Sequence, residues 1–135
     1  QLYALGKTLT LATTYDTVTP TTLRAPNLRV LGNWPLRTGA WYEFVYHTNI
    51  SLTGTGFVEF YINRRLQYSI TGTANAYNDA LGPFFKAGAY GYYGNNSPGS
   101  RTLYSKGIVV GDSASSYAEV TGNSVLQKAS ARSAL

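Results

Sequence analysis

Apolar and polar residues alternate over short stretches of this chain, and turn-forming residues separate the stretches. The clearest alternation runs through residues 40–51, where Tyr42, Phe44 and Tyr46 fall on one side of an extended backbone. No spacing of apolar residues typical of an amphipathic helix persists for more than a turn or two. The pattern therefore predicts a chain built from antiparallel β-strands.

Turn signals divide the chain into further strands. Gly6-Lys7 predicts a turn within the first stretch, 1–12, and Asn63-Arg64 occupies the place of a two-residue hairpin turn. Arg64 is unusual there, because such turns need left-handed backbone angles that glycine adopts more easily. The remaining predicted strands are 23–31, 57–62, 65–71, 84–93, 102–110 and 116–120.

Length and composition are those of one folded domain. A chain of 135 residues can bury most of its apolar surface in a single core. Aromatic residues make up 14% of the chain and charged residues only 13%, which is the opposite of a disordered sequence. We expect residues 1–120 to form one β-sandwich domain and residues 121–135 to form a polar C-terminal tail.

The charge favours polyanionic partners, since the formal net charge is +5. The basic residues are scattered, so neither a polybasic membrane anchor nor a nuclear-type tail is present. No recognised nucleic-acid motif and no apolar stretch long enough to span a bilayer occur, so nucleic acid and membrane are not expected partners. Without cysteine and with His47 as the sole histidine, a metal site is not expected either, and no cofactor is implied.

Two triplets permit N-linked glycosylation, at Asn49 and at Asn95. They fit a secreted, extracellular protein. The first residues lack the basic start and apolar run of a signal peptide, so we expect a mature form or an internal piece of a longer chain.

The most informative stretch for chemistry is 84–93. In a strand, Lys86, Gly88, Tyr90 and Tyr92 share one face, and Gly88 leaves a gap through which a ligand could approach the backbone. A lysine beside a tyrosine hydroxyl lowers the phenol pKa by favouring the phenolate, which suits the tyrosine to act as base and acid. A tyrosine packed at the sheet surface and spanned by the lysine is the structural alternative.

Residues 84–90, FFKAGAY, resemble the Tyr-Phe-Lys-Ala-Gly-x-Tyr motif of alginate lyases and of the related glucuronan and heparin lyase-like jelly rolls. The surroundings agree in order with that family. Residues 39–47 resemble its tryptophan strand, 55–63 its Gly-x-Val-Glu hairpin, and 102–120 its closing strand and tail. The resemblance covers residues 39 to 120.

The resemblance implies a concanavalin-like jelly roll, an antiparallel all-β sandwich, and β-elimination at a uronic acid of an acidic polysaccharide. Tyr90 would be the base and acid, Lys86 its companion, and Gln1 a contact to the substrate carboxylate. Such a site needs neutralising groups around that carboxylate and proton-transfer groups within hydrogen-bond reach. Further contacts along the groove would come from Tyr3, Arg64, Arg65, Tyr92 and Arg101.

The chain departs from the family pattern near its start. Gln1-Leu2-Tyr3 resembles the Gln-x-His strand, with Tyr3 in place of the histidine. The arginine strand of the family would lie upstream of Gln1. The chain is therefore either the later part of a longer lyase, without the first strands of the fold, or a relative that has lost the chemistry.

Two functions of other classes remain open. A non-catalytic carbohydrate-binding module would keep the groove without turnover, with aromatic faces against sugar rings and cations on carboxylates. A structural, self-assembling extracellular protein would pair through exposed sheet edges. A glycosidase is disfavoured, because the six acidic residues are dispersed, with Glu43 and Glu59 the one conceivable pair on neighbouring strands.

Overall fold

The computed structural model describes residues 1–16, 27–78, 82, 84–88 and 104–122. The chain divides into two compact units, Gln1–Phe84 and Phe85–Leu135. The described residues contain six strands, all in the first unit, and these form two antiparallel three-stranded sheets. The predicted antiparallel β-sandwich is confirmed.

The first sheet contains β1 (Leu2–Leu5), β2 (Thr8–Tyr15) and β3 (Asn27–Pro35), with β2 in the centre. The turn between β1 and β2 falls at Gly6-Lys7 as predicted, and Gly6 adopts a positive φ of 60°. A bulge between Leu11 and Ala12 shifts the register of β2 against β3.

The second sheet contains β4 (Phe44–Asn49), β5 (Gly56–Ile62) and β6 (Arg65–Thr73), with β5 in the centre. The strand predicted for 40–51 is shorter than expected, because its ladder with β5 starts only at Phe44. Instead, the Glu43 amide donates to Asn63 Oδ1, and the Glu43 carbonyl accepts from the Asn63 amide, both at 2.9 Å. These bonds hold the entry to β4 against the β5–β6 turn.

The core lies between the two sheets. Leu9 and Leu11 of β2 face Val58 and Phe60 of β5, and all four side chains are buried. Trp34 of β3 packs against Phe60, and the two ring centroids are 5.2 Å apart. Burial of each of these large side chains contributes roughly 1.5–3 kcal/mol to folding. Alternate residues of β2 and β5 therefore point inward, and the residues between them point away from the core.

Two of the predicted strands are wrong in the described parts of the second unit. Residues 104–110 lie outside any strand, and the stretch 116–120 ends in a short helix, α1 (Tyr117–Val120). Ser116 caps this helix by accepting from the Glu119 amide, while the Glu119 carboxylate accepts from the Ser116 amide at 2.9 Å. This reciprocal capping box satisfies the first amides of a helical turn and explains why the segment is not a strand.

The strand predicted for 84–93 is not formed in its described part. Residues 84–88 have no regular secondary structure and belong to neither three-stranded sheet. Phe84 and Phe85 expose 71% and 64% of their surface. Among the described residues, no helix is long and apolar enough to cross a bilayer.

Candidate functional site

The outward side of the first sheet carries two of the residues predicted at the site. Leu2 and Ala4 of β1 are paired with Leu11 and Leu9, so they share the side that faces the core. Gln1 and Tyr3 alternate with them and therefore lie on the opposite, outward side. Tyr3 exposes 42% of its surface there. The structure thus brings Gln1 and Tyr3 together on one accessible sheet surface.

Polar side chains of β2 and β3 adjoin Tyr3 on this side of the sheet; Thr10 is itself buried, with 7% of its surface exposed, and Asn33 is exposed. Tyr3 is paired with Thr10, and Thr10 is paired with Asn33 on the next strand. The Thr10 hydroxyl donates to Asn33 Oδ1 at 2.7 Å, which fixes the orientation of that amide. Gln1 Nε2 lies 3.5 Å from the Thr14 hydroxyl. We call this surface the polar face; its members are Gln1, Tyr3, Thr10, Thr14 and Asn33.

The polar face carries amides and hydroxyls but no charged side chain among these five residues. Amide N–H groups can donate to a carboxylate, and hydroxyl groups can both donate and accept. Gln1 is anchored for this purpose, since its backbone exchanges bonds of 2.7 and 2.9 Å with Ala12. Such a surface suits hydrogen bonding to the hydroxyl and carboxyl groups of a sugar.

The predicted proton-transfer pair is only partly described. Lys86 lies in the second unit, exposed and outside any strand. Tyr90, Tyr92 and Arg101 lie outside the described residues, as does the glycosylation candidate Asn95. The juxtaposition of Lys86 with Tyr90 therefore stays a prediction.

Arg64 and Arg65 lie at the β5–β6 turn of the second sheet, not on the polar face. Arg64 Nε pairs with Glu43 Oε2 at 3.4 Å, and both side chains are substantially exposed. Asn49, the other glycosylation candidate, is exposed at the end of β4. The Ser51 hydroxyl of its triplet is engaged with Thr55 at 3.0 Å.

His47 cannot take the place of the histidine that Tyr3 replaces. It alternates with Tyr46, whose partner Phe60 is in the core, so His47 lies on the outward side of the second sheet. Its Nδ1 is 3.0 Å from Glu59 Oε2, and the Tyr61 hydroxyl donates to the same oxygen at 3.2 Å. We call His47, Glu59 and Tyr61 the His–Glu–Tyr cluster.

This cluster was not predicted as a unit from the sequence. The available signal was the two-residue spacing of Glu59 and Tyr61 in a strand that follows the one carrying His47. Only the register, which places His47 directly opposite Glu59, brings the three side chains together. The register also separates the two carboxylates considered for a glycosidase, because Glu59 is opposite His47 whereas Glu43 precedes β4 and bonds with Asn63 beyond the end of β5.

Burial lowers the pKa of the Gln1 amino group. Among the described side chains, two groups have pKa values displaced by their surroundings. Burial raises the pKa of the Tyr46 phenol above its usual value, and the hydrogen bond with Thr48 acts in the opposite direction. The backbone amide of Ala114 lowers the pKa of Asp112, with help from the Ser115 hydroxyl. Neither group lies on the polar face. The described residues contain no group of three metal-ligating side chains.

The exposed members of the polar face, Gln1, Tyr3 and Asn33, present amide and hydroxyl groups on one side of the β-sandwich. The chain matches the family described as Polysaccharide lyase over residues 3–109. The match spans most of the chain, and the protein belongs to the polysaccharide lyase family. No curated protein and no solved structure matches the chain. The suspected resemblance to polysaccharide lyases is therefore confirmed at the level of the family.

Proposed function

We propose that this domain cleaves an acidic, uronate-containing polysaccharide by β-elimination. The observation that carries the proposal is the family match over residues 3–109, which includes the whole motif at 84–90. A uronate is the substrate class in which this elimination is feasible, because the carboxyl group makes the neighbouring C5 proton removable once its charge is neutralised.

In the proposed reaction, Tyr90 as phenolate takes the C5 proton of the uronate. The C5–H and C4–O bonds break, a C4–C5 double bond forms, and the proton passes from Tyr90 to the leaving oxygen. Lys86 favours the phenolate before the reaction. The Gln1 amide donates to the substrate carboxylate, and its location on the exposed polar face supports this role. The net charge of +5 attracts the polyanion.

The test is to incubate the protein with glucuronan, alginate or heparin and to follow the ultraviolet absorbance of the unsaturated product. We expect product with at least one substrate, and a loss of about hundredfold or more in rate for Tyr90→Phe. Tyr104→Phe is the matched control, since Tyr104 is 76% exposed and has no role in the proposed reaction. An undiminished rate in Tyr90→Phe would contradict the assignment of Tyr90.

A carbohydrate-binding module is the second candidate, favoured by Tyr3 at the position of the family's histidine. An exposed phenol is well suited to stack on a sugar ring. Saturable binding of the same polysaccharides without any unsaturated product would establish this function instead of the lyase.

Self-association through sheet edges is a separate proposal. Among the described strands, β3 is an outer strand, and its Leu28 and Val30 expose 58% and 51% of their surface. Exposed edge strands with apolar side chains tend to pair with another chain. We expect light scattering to show a mass that rises with concentration, and Val30→Lys to suppress the rise. A constant mass near 14.7 kDa at high concentration would refute the proposal.

A further inference from the structure

The outward side of the second sheet holds the His–Glu–Tyr cluster, which the proposed reaction does not use. We propose that this cluster is a second glycan-binding site, one that takes the hydroxyl groups of neutral sugars rather than the carboxylates of uronates. The proposal rests on the contacts of His47, Glu59 and Tyr61 and is independent of Tyr90 and Lys86.

The hydrogen bonds of the cluster determine which atoms are left to bind a ligand. An ionised carboxylate only accepts hydrogen bonds, so Nδ1 of His47 is the donor in the 3.0 Å contact with Glu59 Oε2. In the uncharged tautomer that this contact selects, His47 Nε2 is an acceptor. Glu59 Oε2 already receives His47 and Tyr61, whereas Glu59 Oε1 and His47 Nε2 have no hydrogen-bond partner among the described residues.

Two acceptors on side chains that face each other across paired strands recognise a ligand that offers two hydrogen-bond donors. Adjacent hydroxyl groups on a sugar ring have this arrangement. The acceptors are accessible, because the His47 side chain is 59% exposed and that of Glu59 is 34% exposed. The cluster is therefore complementary to a vicinal diol.

The surroundings disfavour an anionic sugar at this site. The residues paired with the cluster on the neighbouring strands are uncharged: Val45 opposite Tyr61, and Ser69 opposite Glu59. Neither lysine nor arginine lies directly opposite Glu59 or Tyr61 on the neighbouring described strands. A carboxylate or sulfate group would meet repulsion from Glu59 and two acceptors that cannot bind it.

Aromatic rings border the acceptors on the same side of the sheet. The His47 ring packs edge-on against Phe57, with centroids 4.7 Å apart and planes at 72°. Phe57, Glu59 and Tyr61 occupy alternate positions of β5, so this row extends over ~13 Å. Partly exposed rings beside hydrogen-bonding groups suit the C–H surface of a short oligosaccharide.

The experiment uses the fact that His47 is the sole histidine, so its imidazole resonance in NMR spectra needs no further assignment. Laminarihexaose and cellohexaose are titrated as neutral probes, with glucuronan oligosaccharides and chitosan oligosaccharides as acidic and amine-bearing probes. We expect a saturable shift of the His47 resonance with at least one neutral probe. Shifts with the acidic or the amine-bearing probe alone, or with none, would overturn the proposal.

Variants test which groups hold the sugar. Glu59→Gln should weaken binding of the neutral probe about tenfold, because a charged acceptor is lost. Glu43→Gln is the matched control, since Glu43 is a carboxylate paired with Arg64 outside the cluster. Equal binding by Glu59→Gln and the parent protein would overturn the proposal.

A second variant keeps the proposal testable if Glu59→Gln is misfolded. Circular dichroism would reveal such misfolding. Tyr61→Phe keeps the ring and removes only the hydroxyl that holds Glu59 Oε2 at 3.2 Å. We expect at least about threefold weaker binding. Tyr68→Phe is its control, because Tyr68 packs against the core on the other side of the same sheet. Unchanged binding in Tyr61→Phe together with a folded, fully binding Glu59→Gln would dismiss the cluster as a sugar site.

Discussion

At the scale of single residues, Asn75 connects several parts of the second sheet. No sequence pattern indicated this role. Its Oδ1 accepts from the Ser51 amide at 2.8 Å, and its own backbone amide donates to the Ser51 carbonyl at 2.9 Å. Its Nδ2 donates to Thr48 Oγ1 at 3.1 Å and to the Asn49 carbonyl at 3.0 Å. One side chain thereby ties the segment after β6 to the end of β4.

Removing this side chain should destabilise the fold. Asn75→Ala leaves the Ser51 amide and the Asn49 carbonyl without their partner, and we expect the free energy of unfolding to fall by about 2–3 kcal/mol. Urea denaturation measures the change.

Asn27→Ala is the matched control for Asn75→Ala. The Asn27 side chain makes one exposed bond of 3.4 Å, to the Tyr15 carbonyl. Its loss should change the free energy of unfolding by no more than about 0.5 kcal/mol. Equal effects of the two substitutions would mean that Asn75 is not the organising residue of this corner.

The candidate site residues were only partly predictable from the sequence. Gln1 and Tyr3 were found from a short motif, and alternation in β1 sufficed to place them on one side. The His–Glu–Tyr cluster depends on the register between β4 and β5, where a slip by one residue would turn His47 inward. A single sequence contains the residues of such a cluster but does not show which ones are opposite each other.

At the scale of elements, the hairpin of β5 and β6 has the predicted two-residue turn. Ile62 pairs with Arg65, and the two turn residues, Asn63 and Arg64, have φ values of 50° and 67°. Positive φ at both positions is typical of a type I′ turn, whose twist matches that of the strands. Asparagine tolerates this conformation, whereas arginine is strained in it.

Glycine at the second turn position should therefore stabilise the protein. Arg64→Gly relieves the left-handed strain, and the exposed ion pair with Glu43 that it removes contributes little. We expect the free energy of unfolding to rise by about 0.5–1 kcal/mol, as measured by thermal or urea denaturation.

Arg65→Gly separates this effect from a general response to glycine. Arg65 is the first residue of β6 and is not among the residues with positive φ. Glycine in a strand is destabilising by roughly 0.5–1 kcal/mol. The two neighbouring substitutions should therefore change stability in opposite directions, and a shared direction would argue against strain at Arg64.

The elements that were predicted wrongly have local causes. The stretch at 116–120 contains β-forming Tyr117 and Val120, yet the Ser116 and Glu119 side chains satisfy the backbone of a helical turn. The capping pair is visible in the sequence, but its strength relative to strand propensity depends on whether a partner strand is available. Propensity in a strand is mainly a matter of such neighbours.

At the scale of the whole molecule, the sandwich was predictable because short strand-like stretches separated by turn residues recur along the chain. Alternation places Leu9 and Leu11 on one side of β2, and Val58 and Phe60 on one side of β5. Two sheets that each have one apolar side must cover those sides against each other. The pairing order within each sheet follows the chain order, which is the simplest outcome for consecutive antiparallel strands.

The shared core separates the two outward surfaces of the sandwich. Packed sheets are separated by about 10 Å, and the polar face and the His–Glu–Tyr cluster point away from opposite sides of that layer. No side chain belongs to both surfaces, so a molecule held on one side cannot compete directly with a molecule held on the other. Coupling between them would pass through the close-packed core residues Leu9, Leu11, Val58 and Phe60, or through polar links between the sheets such as the 3.0 Å hydrogen bond from Arg29 to Thr73. Simultaneous occupancy would let one copy of the protein bridge two different glycan strands.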